Sequence, residues 1–564
     1  MPKLLRHRVR FAEFTGISAI ACFPLLFIAL TAFGQGQPGT QPAQWFSRPS
    51  ELPRDVFDLP EFDNFRSGGT LNVAAAEADL ESLSDRNLPE AQRRFDILSW
   101  RAFVALNWPA LANGNPDPSK GFGGITPATP LVWEFWEPTA SVFLPNGQKP
   151  AWAPAPNKSL DHFKAGWRQV APVNEGLQAF SGPLVDQNGD WVHYVSYMNR
   201  VEFDYLTTGK ELYNLEGQAD FVRSNKIEFP VNSDTTYGAI EIKLAWKVLT
   251  PAEATSNRFL VKRLPVVQYH PASASSTTAT PAAHLSGKTS DNPGTISQTE
   301  TLGLIGMHIS MRTRSSPQWI WATFEQIDNT RLDFASNDAK HPLPAHPSLS
   351  NPYNPDALVG ANLLPAYNAD APPGKAPSDW DESKPIPPVE VLRLVPPPQG
   401  TQEVNILAQA FLGSKDSVLR YYELNGTQWP KHPRAPAVPG GQGSAPESIV
   451  NKMPGQMVPV YLTNSTMETY FQKGFQAASP LEQDDRTSLI FDTTMVFGTE
   501  SCVGCHYSAG ACIGFRKDSA GKYLTDANGN KIPIFGQNGN SGLTANANFS
   551  WLLQLEAKMK NPKP

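Results

Sequence analysis

Residues 238–249, Gly-Ala-Ile-Glu-Ile-Lys-Leu-Ala-Trp-Lys-Val-Leu, decide how this chain is read. Ile240, Ile242, Leu244, Trp246 and Val248 alternate with Glu241, Lys243 and Lys247. A period of two marks a strand with one face turned to a core. Four neighbouring runs read the same way: WVHYVSYMNRVEFDYL from Trp191, RFLVKRLPVVQY from Arg258, LGLIGMHISMRTR from Leu302 and QWIWATFEQI from Gln318. Strands that follow one another without intervening helices predict an antiparallel sandwich or barrel. Upstream, Pro89 opens a helix through AQRRFDILSWRAFVALNW, with Phe95, Leu98, Ala102 and Ala105 or Leu106 at helical spacing, stopped by Trp108-Pro109. Residues 35–88 read as irregular, and 89–335 as the β-rich domain with its opening helix.

Beyond the strands, residues 336–400 are dense in proline (PLPAHP, APPGKAP, KPIPP, VPPPQG) and read as a connector. The Ala-, Ser- and Thr-rich stretch from Pro271 to Thr295 reads as a surface loop. Residues 401–564 carry helical patterns at FLGSKDSVLRYYEL, METYFQKGF and NFSWLLQLEAKM. The 564 residues are 40% hydrophobic and 18% charged, which excludes wholesale disorder, and 53 prolines argue against a mainly helical protein. A net charge of −6 carries no basic excess of the kind that binds nucleic acid.

At the N-terminus, Lys3, Arg6, Arg8 and Arg10 precede the apolar run Gly16–Phe33, and Ala32-Phe33-Gly34 is a small-x-small cleavage site. Residues 1–34 are thus expected to be a signal peptide, the mature chain periplasmic or secreted, acidic, and without a membrane span once the signal is cleaved. An uncleaved anchor is the alternative, because the run nears the ~18–20 residues that cross a bilayer. Cys22 makes a poor lipoprotein site, since Ala19 stands where Leu is usual.

The mature chain keeps Cys502, Cys505 and Cys512. Cys502-Val503-Gly504-Cys505-His506 is C-x-x-C-H, the pattern of covalent haem attachment. Thiols one helical turn apart reach the two porphyrin vinyl groups, and the adjacent imidazole then meets the iron. The motif occurs once, so one haem c is expected, with His506 as axial ligand. A zinc half-site would need further ligands at paired spacing, and a redox C-x-x-C lacks its βαβ setting. Cys512 is left over and reads as a small buried hydrophobe. The expected fold class is α+β: the β-rich antiparallel sandwich or barrel, followed by a small, mainly helical, cytochrome c-like haem domain over 401–564.

The chain also resembles a family of large exported bacterial proteins described as c-type cytochrome family proteins. The resemblance is carried by AFVALNWP at 102–109, VWEFWEP at 132–138, MNRVEFDY at 198–205, PQWIWATFEQIDN at 317–329, METYFQ at 467–472 and SCVGCH at 501–506. It implies a haem and an exported setting and names no substrate. Members often carry a His where this chain has Gln326, a departure from the pattern that argues against any scheme making position 326 an iron ligand.

The sixth iron ligand separates carriers, which fill it with Met or His, from proteins that leave it open for chemistry. Met559 lies near the chain end and reads as frayed, and Met495 reads as packing on a haem edge. In Met307-His308-Ile309-Ser310-Met311, alternation puts Met307 and Met311 on the core face and His308 on the other. His308 is therefore the first distal candidate, ahead of Met495 and Met307, with a vacant position the alternative; a strand His is otherwise a hydrogen-bonded structural residue. Glu325, Asp328 and Asn329 suggest a hard-cation site or a solvated strand end. Trp133, Trp136, Trp319 and Trp321 suggest an electron relay or aromatic core. No phosphate loop, dinucleotide fingerprint, nucleophile elbow or zinc-protease motif is present. The expected function is electron transfer to or from a redox partner protein. The alternative is a haem-dependent oxidoreductase, peroxidase- or oxygenase-like, that holds a small-molecule substrate in the β-rich region. A haem-based sensor is a third reading and lacks an output domain.

Overall fold

The structure is a computed structural model. It describes residues 65–153 except 69; 184, 186, 190 and 192–268 except 234 and 235; 295–329 except 315; 397–431; 457–469 except 460 and 461; 502–536 except 507, 508, 527 and 528; and 547–560. The expected signal peptide, the loop after Pro271, nearly all of the proline-rich connector, and Met495 lie outside the described residues.

After a short antiparallel hairpin at Arg66–Ser67 and Thr70–Leu71 come two helices, α1 (Val73–Arg86) and α2 (Leu88–Leu106). One residue, Asn87, ends the first and begins the second. Its N–H donates to the Leu83 carbonyl, and its side-chain oxygen accepts from Glu90 N. Pro89 sits in the first turn of α2, where a missing N–H costs nothing. The stretch 35–88 is thus not irregular throughout: Ala76, Leu80 and Leu83 give α1 a buried stripe at helical spacing. In α2, Phe95, Leu98, Ala102 and Ala105 are buried as expected, and so are Trp100 and Phe103 on another side, so this helix is enclosed around most of its circumference.

The strands are β1 (Glu137–Pro138), β2 (His193–Met198), β3 (Ile240–Val248), β4 (Val261–Gln268), β5 (Thr295–Thr313), β6 (Ser316–Gln326), β7 (Tyr422–Pro430) and β8 (Met457–Val458). They form one eight-stranded sheet in the order β8-β7-β6-β5-β3-β2-β1, with β4 paired to the first part of β5. Every pairing is antiparallel. The α+β class holds, but the sheet is neither sandwich nor barrel among the described residues. The strand order has two open ends, and helices rather than a second sheet cover one face. That face carries Ile240, Ile242, Leu244, Met307, Ile309, Ile320 and Phe324 into a core shared with α1, α2 and α5 (Gln399–Ser414). Within it Phe103 and Phe324 stack at 4.3 Å, as do Phe95 and Trp429. The WVHYVSYMNRVEFDYL run splits, since Asn199 caps a helix, α3 (Arg200–Thr207), directly after β2.

The boundary expected near residue 400 does not divide the sheet. Helix α5 and strand β7 belong to the same body as residues 89–335, and a buried polar network ties them to α2. Gln92 Nε2 donates to Asp96 and to the Thr427 carbonyl, Thr401 Oγ1 donates to Asp96, and Trp429 Nε1 donates to Gln92. Two of the expected helical runs beyond 401 that fall among the described residues are shorter than expected. FLGSKDSVLRYYEL becomes the end of α5, a 3-10 turn at Val418–Tyr421 and the start of β7. NFSWLLQLEAKM yields only the single turn α7 (Leu552–Leu555).

The opposite face of the sheet is polar where His308 meets Thr323 and apolar at Met198, Trp319 and Trp321. It is covered by α3, α4 (Leu215–Phe221), α6 (Cys502–His506), the hairpin β9 (Ala511–Phe515) and β10 (Pro533–Gly536), and α7. This arrangement seats the cysteine motif on the outer face of the sheet.

Candidate haem-attachment site

The motif forms α6, one helical turn that carries Cys502 and Cys505 on successive levels and His506 at its end. Three contacts hold it. Val503 N, an N–H of the first turn that finds no partner within the helix, donates to Gln428 Oε1 of β7 at 2.8 Å. Trp551 Nε1 donates to the Cys505 carbonyl at 3.2 Å, and the buried Val503 side chain joins the outer core.

His506 is placed from both sides. Its ring lies against Trp321 with centroids 4.5 Å apart. Its Nδ1 is 2.7 Å from the Phe549 carbonyl oxygen. A carbonyl only accepts, so Nδ1 carries the hydrogen and the lone pair resides on Nε2. Burial holds the imidazolium form down, to a pKa of about 4, against the opposing pull of the Phe549 carbonyl. His506 is therefore a neutral imidazole at ordinary pH with a nitrogen available to a metal.

The backbone that supplies the carbonyl is strained. Asn548 and Phe549 take φ of 49° and 72°, and Trp319, whose Nε1 donates to the Asn548 carbonyl, takes 72°. Asparagine tolerates the left-handed region, whereas Phe and Trp rarely enter it. The three are linked through the strap that holds the imidazole, with Asn548 Oδ1 also accepting from Phe229 N.

The Cys502 thiol is not built for disulfide exchange. Burial, Glu468 and Cys505 push the Cys502 thiol well above its usual range, whereas a redox pair needs a lowered one. Cys512 is fully buried, its N–H bonded to Gln218 Oε1, and burial pushes its thiol up to about 11, as expected of an inert residue.

The other candidates separate. His308 stands on the outer face in register with Thr323, two residues from the Ser310–Trp321 pair, so it shares the patch that holds His506. Its Nε2 lies 2.8 Å from Glu468 Oε1, whose other oxygen accepts from Asn464 N. Ligation through Nε2 would first require that bond to open. Met307 faces the opposite core, as alternation predicted. Met559 is not frayed: it packs against the outer core, and the Lys558 carbonyl accepts from Leu215 N.

Glu325, Asp328 and Asn329 do not converge. Glu325 accepts from Asn425 and Ser465, Asp328 is held in a two-point bond by Arg258, and Asn329 donates to the Ile305 carbonyl. Gln326 is buried and bonded to Arg258 O and Asp328. Among the described residues no group of three or more His, Cys, Asp or Glu is placed to hold a metal ion. Trp133 belongs to the inner core with Tyr197 and Trp246, while Trp319 lies 6.0 Å from Trp321, whose ring meets His506. No helix among the described residues is long and apolar enough to cross a membrane.

Sequence reasoning missed Trp321 as a neighbour of His506, Gln428, Glu468 and the strap at 547–551. Only Asn548, a residue tolerant of positive φ, carried any signal. No family model matches the chain, and no curated protein and no solved structure matches it.

Proposed function

We propose that this is an exported c-type haem protein in which Cys502 and Cys505 hold one haem by thioether bonds and His506 binds its iron. The observation that carries the reading is the Nδ1–H of His506 locked on the Phe549 carbonyl, which leaves the lone pair on Nε2, on the same helical turn as the two cysteines. The residues fit such a group: a neutral imidazole, a Cys502 thiol too basic for redox exchange, and a second contact that sets the ring against Trp321. When bound, the haem supplies one-electron redox chemistry, and the chain's part is to anchor it, orient its axial ligand and limit water at the iron. Electron transfer to or from a partner protein is the principal function, and Trp321 and Trp319 lie where they can extend the aromatic path away from the site.

A second reading, a haem-dependent oxidoreductase, is favoured by one observation. The His308–Glu468 pair places a hydrogen-bonded imidazole and carboxylate on the same face of the sheet as the site. Carbon monoxide binding to the reduced protein would favour this reading, and a six-coordinate low-spin spectrum the carrier. A five-coordinate spectrum in His308→Ala would identify His308 as the distal ligand.

The attachment itself is tested by acid-acetone extraction of exported protein. Haem should stay with the chain and give a peroxidase-active band on a denaturing gel. It should be lost in the Cys502→Ala, Cys505→Ala double variant and kept in Cys512→Ala. Haem released from the wild-type chain by this treatment would end the proposal.

A further inference from the structure

We propose that the three-stranded flap formed by residues 511–536 is the docking surface for an acidic partner protein, one that presents a small apolar patch rimmed by Asp and Glu. The inference rests on the electron-transfer reading above and gives the redox partner its chemistry.

The flap follows the cysteine motif in the chain. β9 pairs with β10, and the chain between them returns as a third stretch. Leu524 N donates to the Arg516 carbonyl, Arg516 N to the Ile532 carbonyl, and Ile532 N to the Leu524 carbonyl. The root lies in the outer core, where Ala511, Cys512, Phe515 and Phe535 pack in the cluster that also holds Cys502 and Val503. Beyond that root the flap stands in solvent, with residues 516–525 all exposed.

Its charge is opposite to that of the chain. The whole sequence carries net −6, whereas the flap sets Arg516, Lys517, Lys522 and Lys531 against only Asp518 and Asp526. Both carboxylates serve the flap's own turns: Asp518 accepts from Ala520 N and Lys522 N, and Asp526 from Asn530 N. None of the four cations is in an ion pair with a described residue.

The two sides of the flap differ. On one, Lys517 Nζ lies 4.7 Å from the centre of the Tyr523 ring and Lys531 Nζ 5.0 Å from it, and Phe515 meets Tyr523 edge-on at 6.3 Å. That stack stiffens the flap without neutralising its cations. Alternation puts Arg516, Lys522 and Leu524 on the other side. Ile534 joins them, because it stands opposite Gly514, two residues before Arg516. This side is open, and a Cβ added at Gly514 would meet no atom within 4 Å. Six large apolar side chains stand exposed among the described residues, and three of them, Tyr523, Leu524 and Ile534, belong to the flap. An apolar centre at Leu524 and Ile534 with Arg516 and Lys522 beside it has the composition of a protein interface, and its unpaired cations select carboxylates.

A lipid surface also takes cations and apolar side chains. The turns at the flap's ends would have to enter it first, and those turns carry Asp518 and Asp526, which are costly to bury. Leu524 and Ile534 lie along the flap's side instead, where another protein can cover them.

The test is fluorescence anisotropy of a labelled peptide of alternating Glu and Leu, titrated with the exported mature chain. Binding should weaken about tenfold between about 20 mM and about 200 mM salt. Arg516→Glu with Lys522→Glu, and separately Leu524→Ser, should each weaken it about tenfold. Lys120→Glu with Lys226→Glu makes the same change of charge at exposed positions elsewhere and should bind as the wild type does. A peptide that does not bind, or that loses affinity equally in both double variants, would overturn the proposal. Flotation with phosphatidylglycerol vesicles supplies the lipid arm. Vesicle binding that Leu524→Ser abolishes, without binding of the peptide, would make the flap a membrane contact and overturn the acidic-protein reading. Peptide binding needs no haem, so retention of haem through denaturation is measured separately. Haem lost with binding kept would reject the haem reading alone, and haem kept without binding would reject the docking surface alone.

Discussion

Asp96 shows how one buried residue ties pH to stability. It lies inside α2 and accepts from Gln92 and Thr401. Burial outweighs those bonds and pushes its carboxyl up to about 6 from 3.8. The folded state therefore holds this proton more tightly than the unfolded chain does. Stability from this group is greatest below about pH 4 and declines as pH rises to about 6, by about 3 kcal/mol in all. Asp96→Asn should remove that decline. In urea titrations at several pH values, the stability difference between variant and wild type should grow in the variant's favour from about pH 4 to about pH 7. A constant difference would show that Asp96 is not buried as an acid. Nothing in the DILSW run announces this role, since an Asp on a helix is usually solvated, and only its partner Thr401, 305 residues away, explains it.

Among the elements, β5 illustrates what residue patterns reveal. The alternation in LGLIGMHISMRTR correctly separated Met307 and Met311 from His308, because the pleat sends successive side chains to opposite faces. It could not reveal why Gly306 is glycine. A Cβ there would lie 2.5 Å from Thr466 Oγ1 and 3.1 Å from Met467 Cε, so glycine lets the strap at 462–469 lie flat on the sheet. That strap carries Glu468 to His308, and its Thr466 carbonyl accepts from Tyr194. Gly306→Ala should lift the strap and destabilise the protein by about 1–3 kcal/mol, the usual cost of overpacking. Chemical denaturation checks the magnitude, and a change below about 0.5 kcal/mol would mean that the strap is not closely seated.

At the scale of the whole molecule, the sheet joins residues that the reading by domains had parted. Truncation at residue 335 would remove α5 and β7. Gln92, Asp96 and Ser99 would then lose their bonds to Thr401, Thr427 and Trp429, and the Phe95 and Phe103 rings would lose Trp429 and Tyr422. The strand β6 would also become an unprotected edge. We expect the truncated chain to show no cooperative thermal transition and to aggregate. A sharp transition within a few degrees of the full chain's would instead make residues 89–335 an independent domain.

The sequence by itself determined the strands β3 to β6, the helix α2, the face on which His308 stands and the C-x-x-C-H turn, because each is written in residue types at short, regular spacing. Only the tertiary structure decided that the sheet stays open and recruits β7 from beyond residue 400. It alone brought His506 to the Phe549 carbonyl and Trp321. Those contacts join distant segments through backbone atoms and cross-strand register, neither of which leaves a mark on local composition.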